Sequence, residues 1–167
     1  MAPLRSSSCF AEKVSFFKDT PGGLMPRIRL MELECYGFPY SVQVRPQDIN
    51  YSGHVGNDNL ISLVGAARAY TFHVLGFSEM DLGDGHTGVI MTDLAVNYKA
   101  EAYLFDELLI ETCSGEFGRS GFRMFHRVRR GEKVIALVET GFATFDYESK
   151  KVAPVPQTFL AAIKGSS

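Results

Sequence analysis

One segment of the chain, residues 48–59, concentrates side chains that could take part in acid–base or hydrogen-bonding chemistry. It reads DINYSGHVGNDN, and we call it the polar loop. Its carboxylate or histidine could attack a substrate or activate a water molecule. The loop ends where a helical pattern begins, and a helix N-terminus offers free backbone N–H groups that can hold an oxyanion. Hydrolysis at a carbonyl carbon needs both of these parts.

Three side chains of the polar loop are the catalytic candidates: Asp48, Asn50 and His54. We expect Asp48 or His54 to activate water, and Asn50 to orient that water or the carbonyl group of the substrate. The oxyanion is expected to lie against backbone N–H groups at the start of the helix. The residues expected to bind substrate there are Gly56, Asn57 and Asp58.

Most of these polar residues also have a simpler structural explanation. Asp48 and Asn50 are of types that favour turns, and Asn57 or Asp58 could supply the N-cap of the helix. Both explanations therefore stay open for Asp48 and Asn50. A functional role is favoured for His54, because a histidine beside a glycine at a helix entrance has few packing reasons to be there.

The elements around the polar loop indicate an α+β fold. A strand pattern over residues 29–45, broken at residues 37–39, precedes the loop. After the loop, apolar residues at helical spacing run for about 18 residues until Gly76 and should be buried against a sheet. Turn chemistry divides the remainder into strands without helices between them, which predicts an antiparallel sheet that wraps the long helix. These strands span residues 89–99, 104–116, 121–129 and 133–146, and a short helix is predicted over 156–164.

Composition sets limits on the class of protein. A chain of 167 residues fits one domain, which we place at residues 27–167 after a poorly ordered extension over 1–26. A formal net charge of -2 argues against a nucleic-acid binder, and no stretch is apolar enough to span a membrane. Three widely spaced cysteines indicate neither a disulfide framework nor a zinc site, so we expect reduced thiols, no metal and no cofactor. Without a recognisable secretory signal, the protein is expected to be cytoplasmic.

At four places the sequence resembles the hot-dog-fold acyl-CoA thioesterases, the superfamily related to 4-hydroxybenzoyl-CoA thioesterase. The polar loop resembles the family's acidic loop leading to G-H-V-x-N, and the helix motif that follows it resembles Ala66-Ala67-Arg68. Three later motifs stand in the same order and at similar spacing. They are Asn97-Tyr98-Lys99 before Phe105-Asp106-Glu107-Leu108, then Gly118-Arg119-Ser120-Gly121-Phe122, then Pro154-Val155-Pro156. The resemblance covers residues 39–160, most of the chain.

This resemblance implies a hot-dog fold, in which an antiparallel sheet wraps a long central helix. It also implies hydrolysis of a thioester of coenzyme A (acyl-CoA) or of acyl carrier protein (acyl-ACP). The family's members are homodimers or homotetramers with the site between subunits. The chain departs from the family's D-x-D-x-x-G pattern, because Asn50 stands where the family has its second, catalytic acid. The resemblance alone therefore does not assign the attacking group.

Two other functions fit parts of the same pattern. Enoyl-CoA hydratases of this fold carry a motif resembling D-x-N-P-x-H, but here the spacing from Asp48 to His54 is one residue longer and Tyr51 replaces the proline. A non-catalytic acyl-CoA binding protein would fit the missing second carboxylate. A thiol-release assay separates both from a thioesterase.

Charged residues outside the polar loop give three further candidates. Arg68, on the predicted helix, could bind substrate, pair with a loop carboxylate such as Asp48, or be a solvated charge. Arg119 begins a run of arginines on a predicted hairpin, which could meet the phosphates of coenzyme A at a subunit edge or form a solvated strand face. Asp93 is a reserve candidate for a catalytic acid.

Overall fold

The polar loop lies between a short strand and a long helix in the computed structural model, which describes residues 28–165. The extension expected over residues 1–26 lies outside the described residues. A single 3₁₀ turn, Pro46–Asp48, leads into the loop. The elements are β1 (Gly37–Gln43), α1 (Asn57–Val74), β2 (Thr87–Tyr98), β3 (Glu107–Gly115), β4 (Gly121–Arg130), β5 (Lys133–Asp146), β6 (Lys151–Val152) and α2 (Gln157–Gly165).

Within residues 28–165, six strands form one antiparallel sheet that has β1 and β2 as its outer strands. The order is β1-β3-β4-β5-β2, and β6 pairs with the end of β5. Strands β3, β4 and β5 follow one another as hairpins, and Gly131, with a φ of 56°, lies in the tight turn between β4 and β5. Side chains alternate between the two faces of the sheet, so one face packs on α1, and we call it the inner face. The predicted α+β class is confirmed.

The inner face of the sheet carries two apolar clusters that hold α1 in place. Beside the N-terminal half of the helix, Leu60, Leu63 and Val64 pack with residues of β3, β4 and β5. Beside its C-terminal end, Phe72 packs on α2, where its ring lies 5.7 Å from that of Phe159. Burying a large apolar side chain contributes roughly 1.5–3 kcal/mol. The start of α1, where the polar loop ends, is therefore fixed from within the core.

The first strand is shorter than the sequence pattern predicts, because it begins at Gly37 rather than at residue 29. The segment before it binds the outer face of the sheet through side chains instead of strand pairing. The N–H of Leu30 donates to Oδ1 of Asn97 at 2.8 Å, and Glu32 pairs with Arg127 at 2.6 Å. Alternating residue types therefore predicted a strand where side-chain bonds hold an irregular segment.

The cysteines match the expectation of reduced thiols only in part. Cys113 is a buried thiol, whereas Cys35 is disulfide-bonded. A disulfide depends on two cysteines meeting in space, which their spacing along the sequence does not decide. The prediction is wrong for Cys35, and cysteine usage no longer supports the expectation of a cytoplasmic protein. In the described part of the chain, neither helix has the length and apolar character needed to cross a membrane.

Candidate active site

The polar loop folds back on itself as a tight hairpin. Ile49 and Val55 form an antiparallel bridge, and the N–H of Asn50 donates to the carbonyl oxygen of His54 at 2.9 Å. Gly53 closes the turn by donating to the Asn50 carbonyl at 3.0 Å, with a φ of 82° that favours glycine. The backbone therefore sets Asn50 and His54 opposite each other.

The side chains of Asn50 and His54 are in contact. Nδ2 of Asn50 lies 3.2 Å from Nε2 of His54, and Oδ1 of the same amide accepts from the N–H of Ser52 at 2.9 Å. The bond to Ser52 fixes the orientation of the amide, because its oxygen accepts and its nitrogen donates. Nδ2 must then donate to Nε2, so the neutral imidazole carries its proton on Nδ1. The side chain of His54 is 31% exposed, and the lone pair of its Nε2 accepts from the Asn50 amide.

The carboxylate of Asp48 is buried and bonded to Arg45. One oxygen accepts from the Arg45 backbone N–H at 2.8 Å and from its Nε at 3.2 Å. Burial alone would raise the pKa of Asp48, but the hydrogen bonds and charge of Arg45 outweigh burial and lower that pKa. The structure thus brings Asn50 and His54 together and turns the Asp48 carboxylate toward Arg45, where it closes the 3₁₀ turn.

Gly56 is the N-cap of α1, so the prediction that Asn57 or Asp58 supplies the cap is wrong. A Cβ on Gly56 would lie 2.7 Å from Oδ1 of Asp58 and 3.7 Å from Cβ of Asn50, so glycine leaves room for both. The Gly56 N–H donates to the carbonyl oxygen of Asp48 at 3.0 Å and is not available to an oxyanion. The first helical hydrogen bond is donated by the N–H of Leu60, so the N–H groups of residues 57–59 lie before it and can face a ligand. This end of the helix lies beside Asn50.

Glu101 lies on the other side of His54 and was missed by the sequence reasoning. Oε1 of Glu101 is 3.9 Å from Nδ1 of His54, and its Oε2 accepts from the hydroxyl of Tyr103 at 2.5 Å. The connection between β2 and β3 carries this glutamate, 47 positions beyond His54 in the sequence. An acidic residue in a surface connection is common, so no signal in the sequence singled it out.

Arg68 is not a partner of Asp48. Its Nε donates to Oε1 of Glu79 at 2.6 Å, and its guanidinium lies over the ring of Phe142, 5.3 Å from the centroid. Arg68 follows the start of α1 by three turns, a distance of about 16 Å along the helix axis. Among the alternatives left open by the sequence, the structure supports pairing with a loop carboxylate, but that carboxylate is Glu79 and not Asp48.

Arg119 lies in the turn between β3 and β4, at the opposite end of β3 from the polar loop. It borders an open cleft of about 380 Å³ that is also lined by Thr92, Glu116 and Arg123. The length of β3, about 27 Å, separates this turn from the end of the strand near the polar loop. Within one chain, Arg119 and the polar loop therefore do not form a common site.

Asp93, the reserve candidate for an acid, belongs to a separate ion cluster. Arg123 bonds to both Asp93 and Glu139, and we call these three residues the Arg123 cluster. The hydrogen bond from Arg123 is the main cause of a lowered pKa for Asp93. The cluster lies on the sheet face opposite α1, because Arg123 alternates with the inward residues Phe122 and Met124.

Within residues 28–165, no group of three or more His, Cys, Asp or Glu side chains is placed to hold a metal ion. At the polar loop, the described groups that could act on a substrate are an imidazole, an amide and the backbone N–H groups at the start of α1.

A sequence model of the thioesterase-like superfamily matches residues 44–163, which includes the polar loop and the elements from α1 to α2. The chain belongs to the thioesterase-like superfamily. No curated protein matches the chain.

Solved structures of thioesterases share the fold of this superfamily member. The chain is similar to a 1,4-dihydroxy-2-naphthoyl-CoA thioesterase from Synechocystis, with 20% identity and a TM-score of 0.68. The match covers 75% of this chain and 94% of that one. A gentisyl-coenzyme A thioesterase has 22% identity and a TM-score of 0.67, covering 75% and 98% of the two chains. A DHNA-CoA thioesterase from Staphylococcus aureus has 18% identity and a TM-score of 0.65, covering 74% and 83%.

These comparisons confirm the expected hot-dog fold and the expected family. The family match adds that the chain belongs to a superfamily of thioesterase-like proteins. At such low identities, likeness to the solved structures speaks for the fold alone, so the residues of the site depend on the contacts described above.

Proposed function

We propose that this chain is a thioesterase that hydrolyses an acyl-CoA or acyl-ACP thioester with His54 as its general base. The contact between Asn50 and His54 beside the start of α1 carries this proposal, because it sets a basic nitrogen next to donors for an oxyanion. Membership of the thioesterase-like superfamily supplies the class of reaction.

The proposed reaction needs no covalent intermediate. The amide of Asn50 leaves Nε2 of His54 as substrate and water enter, and Nε2 then takes a proton from the water molecule, whose oxygen forms a bond to the thioester carbonyl carbon. Negative charge then develops on the carbonyl oxygen, and the N–H groups of Asn57 and Asp58 are placed to hold it. Collapse breaks the carbon–sulfur bond, and the leaving thiolate takes the proton from His54. Asn50 orients the imidazole or the water through its amide.

A nucleophilic carboxylate in the polar loop, or a dyad of Asp48 with His54, finds less support in this chain. The position of the family's second acid is an amide, Asn50, and the Asp48 carboxylate is buried against Arg45. The contact of Asp48 with Arg45 also weakens the case for an enoyl-CoA hydratase, in which an aspartate and a histidine would act together. Loss of the enoyl absorbance of crotonyl-CoA without release of thiol would favour that rival.

We also propose that the protein acts as a homodimer joined through β2. This outer strand pairs with β5 alone among the described strands, and it exposes a row of large apolar side chains. The exposed members are Ile90, Met91, Leu94 and Tyr98. Two copies related by a twofold axis would pair antiparallel, which moves the Arg119 cleft of one copy toward the polar loop of the other. Arg119 and Arg68 could then bind coenzyme A across the interface.

Thiol release from a panel of short, long and aromatic acyl-CoAs, and from acyl-ACP, tests the assignment. His54→Ala and Asn50→Ala should each lower kcat by at least about a hundredfold, because each removes part of the base or of its orientation. His73→Ala is the matched control, since His73 is an exposed histidine near the other end of α1. A loss below threefold for both variants would overturn the assignment. Tight acyl-CoA binding with no release of thiol would favour a binding protein instead.

A further inference from the structure

The polar loop and the connection between β2 and β3 are held together by the backbone. The N–H of Val55 donates to the carbonyl oxygen of Ala102 at 2.9 Å, and these two residues directly follow His54 and Glu101 in their segments. Neither His54 nor Glu101 can shift far along its segment without breaking this backbone bond. The closeness of His54 and Glu101 is therefore set by main-chain structure and not by two free side chains.

The two oxygens of the Glu101 carboxylate have different surroundings. Oε2 accepts from the hydroxyl of Tyr103 at 2.5 Å, and this hydrogen bond is the main cause of a raised pKa for Tyr103. The N–H of Tyr103 is itself held by Oδ2 of Asp106 at 2.7 Å, and Asp106 bonds to Arg130. With Oε2 fixed in this way, Oε1 faces Nδ1 of His54 at 3.9 Å.

The tautomer of His54 matches this arrangement. Ser52 fixes the amide of Asn50, and the amide directs its N–H to Nε2, so Nδ1 carries the proton of the neutral ring. That N–H is on the side of the ring where Glu101 lies. The amide of Asn50 donates to Nε2, the nitrogen proposed as the base. The carboxylate of Glu101 faces Nδ1, the nitrogen that carries the proton.

We propose that Glu101 is a positioning residue that acts through His54, holding Nδ1–H and leaving Nε2 as the base. This inference rests on the proposed function, in which His54 gains a proton during the reaction. The separation of 3.9 Å is about 1 Å longer than a direct N–H···O bond, and such bonds commonly tighten only when substrate is bound. When the imidazolium forms, Glu101 is the carboxylate beside it.

The pair should act on turnover and not on stability. Glu101 is 59% exposed, and an exposed ion pair adds little to the stability of a folded protein. Orientation of a base by a third group, in contrast, affects the rate of proton transfer directly. The two roles therefore differ in what a substitution would change.

Glu101→Gln tests the proposal against Glu132→Gln, which removes the same charge from a fully exposed glutamate. Glu101→Gln should lower kcat about tenfold with KM changed less than twofold, while the melting temperature and the dimer stay as in wild type. In the His54→Ala background it should cause no further loss, because the two residues act as a unit. Tyr103→Phe should lower kcat by about two- to threefold, because it releases only one oxygen of the carboxylate.

Nitrogen-15 NMR of the His54 ring gives a readout that does not depend on activity. In the Asn50→Ala background, where no amide selects the tautomer, the ring should stay in the Nδ1–H form; adding Glu101→Gln should then produce a mixture of the two tautomers, whereas adding Glu132→Gln should not. An unchanged tautomer in that background together with an unchanged kcat in Glu101→Gln would make Glu101 a solvated surface charge and overturn the proposal. A tautomer that depends on Glu101 in a protein that hydrolyses no thioester would support the positioning role and refute the proposed function alone.

Discussion

Two polar clusters of this protein differ in how fully their hydrogen-bonding capacity is used. In the Arg123 cluster, one guanidinium bonds to both carboxylates, and Glu139 is only 5% exposed. Gly141 leaves the space that this cluster fills, since a Cβ there would lie 2.1 Å from Oδ2 of Asp93. At the polar loop, His54 has one side-chain hydrogen bond with the residues that the structure describes, from Asn50, and faces Glu101 at 3.9 Å.

This difference indicates which cluster can do chemistry. A group that acts on substrate must be able to free a lone pair or a proton at the surface, and His54 need release only the neutral hydrogen bond from Asn50 to do so. Groups that are saturated by one another can hold strands together, and the Arg123 cluster joins β2, β4 and β5. A carboxylate such as Asp93 would have to break its bonds to Arg123 before it could act. We therefore assign the Arg123 cluster to structure and the Asn50–His54 pair to function.

The largest expected effect on stability follows from breaking the Arg123 cluster. Arg123→Met should leave Glu139 buried without its partner and lower the free energy of unfolding by about 3 kcal/mol. For a chain of this length, that corresponds to a fall in melting temperature of about 6–12 °C. Calorimetry of Arg123→Met beside Arg119→Met, an exposed arginine in the same region, measures the effect.

The same measurement on His54→Ala sharpens the contrast. That variant should melt within about 2 °C of wild type, because the side chain is partly exposed and makes one neutral hydrogen bond. If His54→Ala were destabilised as strongly as Arg123→Met, the assignment of the two clusters to different roles would fail.

The dimer proposed through β2 would bring the cleft beside Arg119 and Arg123 of one copy toward the polar loop of the other. Leu94→Lys puts a charge on the exposed apolar edge and should convert a dimer to a monomer by light scattering, with at least about a tenfold loss of activity. Val152→Lys, at an exposed position of β6, is the matched control and should remain dimeric and active. A wild-type monomer, or a fully active Leu94→Lys monomer, would confine the site to one chain.

Much of the fold could be predicted from the sequence because its signals are local. The apolar spacing around Leu60, Leu63 and Val64 predicts the helix, and the turn residues around Gly131 predict the hairpin of β4 and β5. The irregular segment before β1 could not be predicted, since bonds such as the one from Leu30 to Asn97 join residues 67 positions apart. The same limitation applies to the disulfide of Cys35.

The candidate site was predicted in part for a related reason. Asn50 and His54 belong to one short hairpin, so their types and spacing already bring them together. Glu101 reaches His54 only through the pairing of Val55 with Ala102, which residue types do not indicate. The partner of Arg68 was not predicted either, because Glu79 lies in the connection between α1 and β2, and residue types do not indicate how that connection folds back on the helix.

The smallest expected effect concerns Asp48, which the sequence could not separate from a catalytic acid. Asp48→Asn keeps the shape of the side chain but removes the charge that Arg45 binds, and should lower the free energy of unfolding by about 1 kcal/mol at pH 7. Activity should stay within about threefold of wild type, since the carboxylate faces Arg45 and not the site.

The pH dependence of this small difference tests the role of Asp48 directly. The pKa of Asp48 is lowered in the folded protein from 3.8, so the folded state holds its proton less tightly than the unfolded state does. Its contribution to stability is therefore present above the unfolded pKa and is lost as the pH falls through the folded pKa. Urea unfolding of wild type and Asp48→Asn should show a gap at pH 7 that narrows below about pH 4. A constant gap, combined with a loss of activity above thirtyfold, would instead place Asp48 in the reaction and leave His54 as its partner.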